Sequence, residues 1–226
     1  GATAVLPICE YLIDKIQEHH PKQSIEVFVE GVDSSKWYKT DGMSLKHPCV
    51  GLLQDANWWR KTREMLTLEK VIESMPDVNF YWAGDGQYKN KILKALDKFD
   101  NFHWLGPLSY PDKVREFLSS IDIYAIITGM DTTPLSLKEA QLMQVPVIGT
   151  DVGGISETMR DGETGFLVRE GEHKNIVEKI AMLINDKELS ANMGTKGRRF
   201  IQEDFSLEAS AKNFLDVVKQ HINKKN

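Results

Sequence analysis

The chain has 226 residues, 41% of them hydrophobic, enough to bury a sizeable core in one large domain or one domain plus a fragment. Its 28 Lys and Arg are interspersed among 33 Asp and Glu, for a formal charge of −5, so it has no basic stripe and nucleic acid is not an expected partner. No apolar run approaches the roughly 20 residues of a membrane span, which restricts any membrane contact to sequence outside these residues.

The opening Gly1-Ala2-Thr3-Ala4-Val5-Leu6-Pro7 lacks a basic leader and does not read as a signal peptide. Cys9 and Cys49 have no C-x-x-C spacing and read as unpaired thiols of a reducing cytosol, which makes the expected location cytoplasmic. In chain order, Tyr11–His19 is a predicted helix and Ile25–Val29 a predicted strand. Strand Cys49–Leu53 then precedes helix Lys61–Ser74, Asn79–Ala83 precedes Tyr88–Lys98, and Phe102–Leu105 precedes Pro111–Ser119. Ile121–Ile127 precedes Pro134–Met143, and Pro146–Thr150 precedes Ile155–Arg160. Phe166–Val168 is followed by helices Lys174–Asn185, Lys187–Glu203 and Leu207–Asn223. Short apolar runs alternating with amphipathic stretches are the pattern of βαβ units. The expected class is α/β, a Rossmann-like parallel sheet with helices on both faces.

The most informative stretch is Asp131-Thr132-Thr133-Pro134-Leu135-Ser136-Leu137-Lys138-Glu139-Ala140. The first-turn N–H groups of a helix lack intrahelical partners and carry the positive end of its dipole, so Thr132, Thr133 and the residues after Pro134, Leu135 and Ser136 among them, form an anion cradle. Pro134 suits the first helical position, where its missing N–H costs nothing. Glu139, about a turn and a half inside, can accept hydrogen bonds from a pair of hydroxyls. A phosphate cradle beside a hydroxyl acceptor is the chemistry of a sugar nucleotide. By spacing alone, an N-capped structural helix with a surface Glu is an equal alternative.

This segment resembles the E-x7-E region of retaining glycosyltransferases of family 4, the glycosyl transferases group 1. Asp131 stands at the first acidic position, one methylene shorter than the usual Glu, and Glu139 at the second. Asp151-Val152-Gly153-Gly154-Ile155-Ser156-Glu157 and Asp161-Gly162-Glu163-Thr164-Gly165-Phe166-Leu167-Val168 match the downstream pattern. Gly31-Val32-Asp33-Ser34-Ser35-Lys36-Trp37-Tyr38 resembles the N-G-V-D linker between the two Rossmann-like domains of the GT-B fold. The resemblance implies a domain map: residues 1–30 as a remnant of the N-terminal domain, 31–48 as interdomain linker, 49–203 as the C-terminal donor-binding domain, and 204–226 as a helix crossing back. It also implies roles: Asp131 beside the donor sugar, Glu139 on the ribose, Lys61 on the diphosphate. Asp131 and Lys61 are the candidate catalytic residues.

The family usually places an Arg after the first strand's Gly. Here Gly51 is followed by Leu52, so the charge falls to Arg60, Lys61 and Arg63 at the next predicted helix start, where cations are disfavoured unless a ligand is present. Gly84-Asp85-Gly86 allows close backbone approach at a strand's carboxyl end, and Leu105, Gly106, Leu108 and Ser109 resemble the loop that brackets the nucleotide base. An ordinary strand-to-helix loop is the even alternative for the latter. Trp58 and Trp59 read first as packing anchors and second as base-stacking rings. Gly153-Gly154 reads as a helix-to-sheet packing point. The six histidines form no H-x-x-x-H or Cys/His cluster and no D-x-D occurs, so no metal site and no cofactor is expected beyond a nucleoside diphosphate sugar as co-substrate. The function so implied is the donor-binding domain of a metal-independent, retaining glycosyltransferase. Its partners would be the nucleotide sugar and the N-terminal domain of the same enzyme. A nucleotide-sugar-binding module without catalysis is the alternative, and a Rossmann oxidoreductase is disfavoured by the lack of G-x-G-x-x-G.

Overall fold

The computed structural model describes residues 4–223. Six strands, β1 (Cys49–Leu53), β2 (Asn79–Ala83), β3 (Phe102–Gly106), β4 (Ile123–Ile126), β5 (Val147–Thr150) and β6 (Gly165–Val168), form one sheet in the order β3-β2-β1-β4-β5-β6. Every neighbouring pair is parallel. Parallel neighbours require crossovers, and the described helices supply most of them: α1 (Tyr11–His19), α2 (Trp59–Thr62), α3 (Leu68–Ser74), α4 (Lys89–Leu96), α5 (Asp112–Ser120), α6 (Leu135–Leu142), α7 (His173–Asn185), α8 (Lys187–Asp204) and α9 (Leu207–Asn223).

Alternation along each strand sorts the core into two layers. Val50, Leu52, Phe80, Trp82, Ile123, Ala125 and Ile148 meet Leu68 of α3, Ile92 of α4 and Ile176 of α7 on one face. Cys49, Tyr81, Ala83, Tyr124, Ile126 and Val147 meet Phe117 of α5 and Leu137 of α6 on the other. Burial on both faces explains why the inner strands β1, β4 and β5 read as continuous apolar runs, while the edge strand β3 is partly exposed. The class is α/β and Rossmann-like, as the sequence pattern indicates.

Three elements differ from expectation. Ile25–Val29 forms no strand; Ile25 makes an isolated bridge to Val5, with Glu26 N–H donating to Val5 O at 3.2 Å and Phe28 N–H to Pro7 O at 2.8 Å. Pro7 has no N–H to return, so that ladder stops short. The predicted helix Lys61–Ser74 is broken into α2, a 3-10 turn over Arg63–Thr67, and α3. At the break, the buried Glu64 carboxylate accepts from Thr67 Oγ1 at 3.0 Å and Gly171 N–H at 2.5 Å, which draws this turn tight against the loop after β6. Ile155–Arg160 shrinks to a 3-10 turn, Ile155–Glu157, where Thr158 Oγ1 donates back to Ile155 O at 2.9 Å.

The segments flanking the sheet are tied to it by polar anchors. Glu10 and Tyr11 N–H groups at the start of α1 donate to the Glu157 carboxylate at 2.7 and 3.0 Å. Val29 N–H donates to Asn213 Oδ1 of α9 at 3.2 Å, and the Phe28 ring meets Phe214 edge-on. Lys138, fully buried on α6, reaches Glu30 O at 3.0 Å and Glu30 Oε2 at 3.4 Å. Trp37 is buried, its carbonyl accepting from Arg198 Nη1 of α8. No described helix is long and apolar enough to cross a membrane.

Candidate functional site

The strand order reverses between β1 and β4, so the loops leaving their carboxyl ends diverge and open a crevice. The Gln54 side chain spans it, donating from Nε2 to Ile127 O at 3.0 Å and accepting from Ile127 N–H at 3.2 Å. Lys61 O accepts from Thr128 Oγ1 at 3.3 Å and Gly129 N–H at 3.2 Å, which ties α2 to the loop after β4. That tie sets the Lys61 ammonium 2.7 Å from Asp131 Oδ2, with both side chains mostly buried. Asp131 Oδ1 also accepts from Thr132 N–H at 2.9 Å. The two candidate catalytic residues therefore meet, although they stand 70 positions apart in the chain.

The loop bearing Asp131 rests on Gly153-Gly154. Gly153 has φ +61°, and a Cβ there would lie 1.8 Å from Asp131 O, while Gly154 N–H donates to that oxygen at 3.3 Å. The glycines thus pack loop on loop, correcting the expected helix-to-sheet contact.

An open cavity of about 390 Å³ faces the ion pair, bounded by Leu53, Gln54 and Asp55 after β1, the run Asp131, Thr132, Thr133, Pro134, Leu135 and Ser136, and Ile8 and Glu30 from the flanking segment. Pro134 has ψ 124°, so it caps α6 and the helix begins at Leu135, one residue later than expected. Leu135, Ser136 and Leu137 therefore present the N–H groups that lack intrahelical partners. Thr133 Oγ1 is buried on the cavity wall without a partner among the described residues, an arrangement that calls for a ligand or solvent oxygen. Ser136 Oγ accepts from Tyr124 Oη at 2.7 Å and keeps its own proton free to donate.

Glu139 is only 3% exposed and stands behind the residues that line the cavity. Burial pushes its carboxyl up to about 7, against a hydrogen bond from the Tyr110 hydroxyl and the charge of Lys138, which both act downward. Tyr110 is itself 65% exposed. Its hydroxyl acts on the carboxylate that was expected to face a ribose.

The other candidate residues divide. Arg60 is exposed, Arg63 pairs with Glu170 at 4.0 Å, and neither lines the cavity. Lys61 is the third residue of a four-residue helix, not a helix start. A Cβ on Gly51 would meet Ile121 at 2.6 Å and Phe117 at 2.8 Å, and Leu52 is fully buried, so packing fixes both positions and Leu53 reaches the cavity instead. A Cβ on Gly84 would lie 2.1 Å from Gln54 O, so this glycine admits the loop after β1. Leu105 and Leu108 pack against the α5–α6 layer, Gly106 turns the chain with φ +73°, and Ser109 is exposed. None of these four lines the cavity. Trp59 packs on Tyr88 with ring centroids 5.3 Å apart, as an anchor should, whereas Trp58 is 67% exposed. Sequence reasoning missed Gln54, Tyr110, Glu30 and Lys138. Of these only Tyr110 carried a signal, an aromatic in the loop already under consideration. The expectation that histidine and cysteine form no cluster is also corrected, since His47, Cys49 and Asp122 converge at the opposite end of the sheet.

A doubly wound parallel sheet, with a Lys–Asp pair and a helix N-terminus at the reversal of strand order, defines an α/β domain with its crevice where open parallel sheets bind ligands. The chain belongs to the glycosyl transferases group 1 family, whose pattern matches residues 63–200. It is 27% identical over 196 residues to the N-acetyl-alpha-D-glucosaminyl L-malate synthase of Bacillus anthracis, a match covering 83% of this chain and 51% of that enzyme. Its fold is similar to the sucrose-phosphate synthase of Thermosynechococcus elongatus, with TM-score 0.85 and 17% identity over 99% of this chain and 59% of that one. It is also similar to Anabaena HepE in complex with UDP-glucose, with TM-score 0.78 and 15% identity over 97% of this chain and 64% of that one. The fold is that of the C-terminal half of a GT-B glycosyltransferase, and the chain spans about half the length of its curated relative.

Proposed function

We propose that this chain is the donor-binding part of a family 4 glycosyltransferase that moves a sugar, with retention and without a metal ion, from a nucleoside diphosphate sugar to an acceptor hydroxyl. The observation that carries the reading is the Lys61–Asp131 pair, 2.7 Å apart at the mouth of a cavity that ends on the N-terminus of α6. An anionic leaving group is stabilised by cations and fixed N–H dipoles aimed where charge develops. Lys61 and the N–H groups of Leu135 to Leu137 supply both, with the Thr133 and Ser136 hydroxyls beside them. Asp131 orients Lys61 and borders the donor sugar. Glu139 takes the ribose hydroxyls once Tyr110 yields its hydrogen bond. Two of the three carboxylates at the cavity are engaged, Asp131 by Lys61 and Glu30 by Lys138, which favours neutralisation of the diphosphate by protein groups over a bound cation. UDP-sugars rank first among donors because HepE, a similar fold, is solved with UDP-glucose.

In this reading residues 1–30 belong with the N-terminal domain, 31–48 are the linker, 49–203 are the donor domain, and 204–226 cross back. The protein works in the cytoplasm. A thermal-shift panel of UDP, GDP and ADP sugars tests the donor assignment, since binding raises the melting temperature by mass action. One nucleotide series should stabilise the wild type, and Lys61→Met should abolish that shift. A panel without any shift would overturn the reading.

A further inference from the structure

At the amino-terminal edge of the sheet, three side chains from distant parts of the chain meet. His47 ends the segment leading into β1, Cys49 begins β1, and Asp122 immediately precedes β4. His47 Nδ1 lies 2.8 Å from Asp122 Oδ2 and 3.6 Å from Cys49 Sγ, and the three ligand atoms all lie within 4.8 Å of one another. In the parallel sheet this edge is the one remote from the Lys61 cavity, roughly 15 Å away along the five-residue β1.

We propose that His47, Cys49 and Asp122 form a site for a divalent transition-metal ion, zinc being the best match. The donor set of one imidazole nitrogen, one sulfur and one carboxylate oxygen is that of a tetrahedral zinc site with three protein ligands and one position left for water. The sulfur–nitrogen spacing of 3.6 Å is close to the edge of a tetrahedron with metal–ligand distances of about 2.0–2.3 Å. The 2.8 Å nitrogen–oxygen contact is a hydrogen bond that opens slightly to admit the ion. Two further features prepare the site. Cys49 N–H donates to Asp122 Oδ2 at 2.8 Å, so the carboxylate is held in place by backbone that does not depend on the metal. Burial is graded across the site: Cys49 is fully buried, while the Asp122 and His47 side chains are 29% and 51% exposed, leaving an entry path and room for water on one side only.

Binding releases the Cys49 thiol proton to solvent and forms the sulfur–metal bond. His47 contributes its neutral tautomer, with the proton on Nε2. The Lys39 ammonium also lies within electrostatic reach of Asp122, and the dication takes over that interaction. The bound ion joins the segment before β1 to two central strands and acts as a clamp on the sheet, with no part in sugar transfer.

Cobalt titration of the reduced 226-residue chain tests this, because a thiolate ligand gives a sulfur-to-cobalt charge-transfer band. One equivalent of Co2+ should produce that band together with the intense visible bands of a tetrahedral ion, and one equivalent of Zn2+ should bleach both. Cys49→Ser should remove the charge-transfer band, and Cys9→Ser, which changes the other thiol, should keep it. His47→Gln alters a half-exposed side chain and should leave the fold intact while weakening Co2+ binding at least tenfold. Zn2+ should raise the melting temperature of the wild type and not of His47→Gln. Absence of a charge-transfer band in the wild type, its survival in Cys49→Ser, or unchanged affinity in His47→Gln would each overturn the assignment.

Discussion

Glu139 is the residue whose setting departs most from its reading in the sequence. Spacing placed its carboxylate at a ligand, but the fold buries it behind the cavity wall, and burial raises it to about 7 from the ordinary 4.5. The sign of the consequence follows from linkage. Between these two values the unfolded chain has released the proton and the folded protein still holds it, so stability falls as pH rises across that window, by on the order of 3 kcal/mol. Glu139→Gln should remove this slope in urea unfolding followed from pH 4.5 to 7.5. Donor binding should respond in the opposite sense, tightening as the carboxylate ionises. Glu139→Ala should weaken nucleotide binding by roughly 1–3 kcal/mol, and calorimetry giving unchanged affinity would remove Glu139 from the site. Gly153 carries a different constraint, because any Cβ there meets Asp131 O at 1.8 Å and the backbone has φ +61°. Gly153→Ala should cost more than about 1 kcal/mol of stability and should displace Asp131 from Lys61, which would appear as weakened donor binding.

Among the elements, α6 does two jobs. Its N-terminus borders the cavity, and its interior sends Lys138, fully buried, to Glu30 in the flanking segment. Burial lowers the Lys138 ammonium against the opposing pull of Glu30. Lys138→Ala leaves the space filled by a four-carbon stem and should cost about 2–5 kcal/mol, whereas Lys138→Met refills it and should come close to wild type in denaturant unfolding. Both variants should speed hydrogen exchange in the segment around Glu30. The strands β1, β2 and β5, buried on both faces, were legible as apolar runs because no other environment tolerates such sequences. The helix predicted over Lys61–Ser74 was not, since what marks its break is Glu64 bonding to Gly171, a partner 107 positions away. The strand expected at Ile25–Val29 failed for a related reason: β propensity supplies an edge, and a ladder needs a neighbour able to complete it.

For the whole molecule, the cavity is walled on one side by Ile8 and Glu30, residues assigned in our proposal to the other domain, and that proposal therefore puts the donor site at a domain boundary. The chain by itself should bind donor weakly and transfer sugar poorly, because an acceptor must be held against the donor for proximity to act. Sugar-dependent nucleotide release at full rate by these 226 residues would contradict that division. What the sequence by itself determined was the class of fold, through the period of its apolar runs, and the helix that starts just after Asp131, because a helix start is local. Tertiary structure decided how the cation that the family resemblance singled out reaches that start. Lys61, Arg60 and Arg63 are neighbours in sequence, and the bonds from Thr128 and Gly129 to the Lys61 carbonyl hold α2 where the Lys61 ammonium meets Asp131, while Arg60 stays exposed and Arg63 pairs with Glu170. The same holds for His47, Cys49 and Asp122, where a parallel sheet sets β4 beside β1 and so brings together side chains whose spacing in the chain carries no signal.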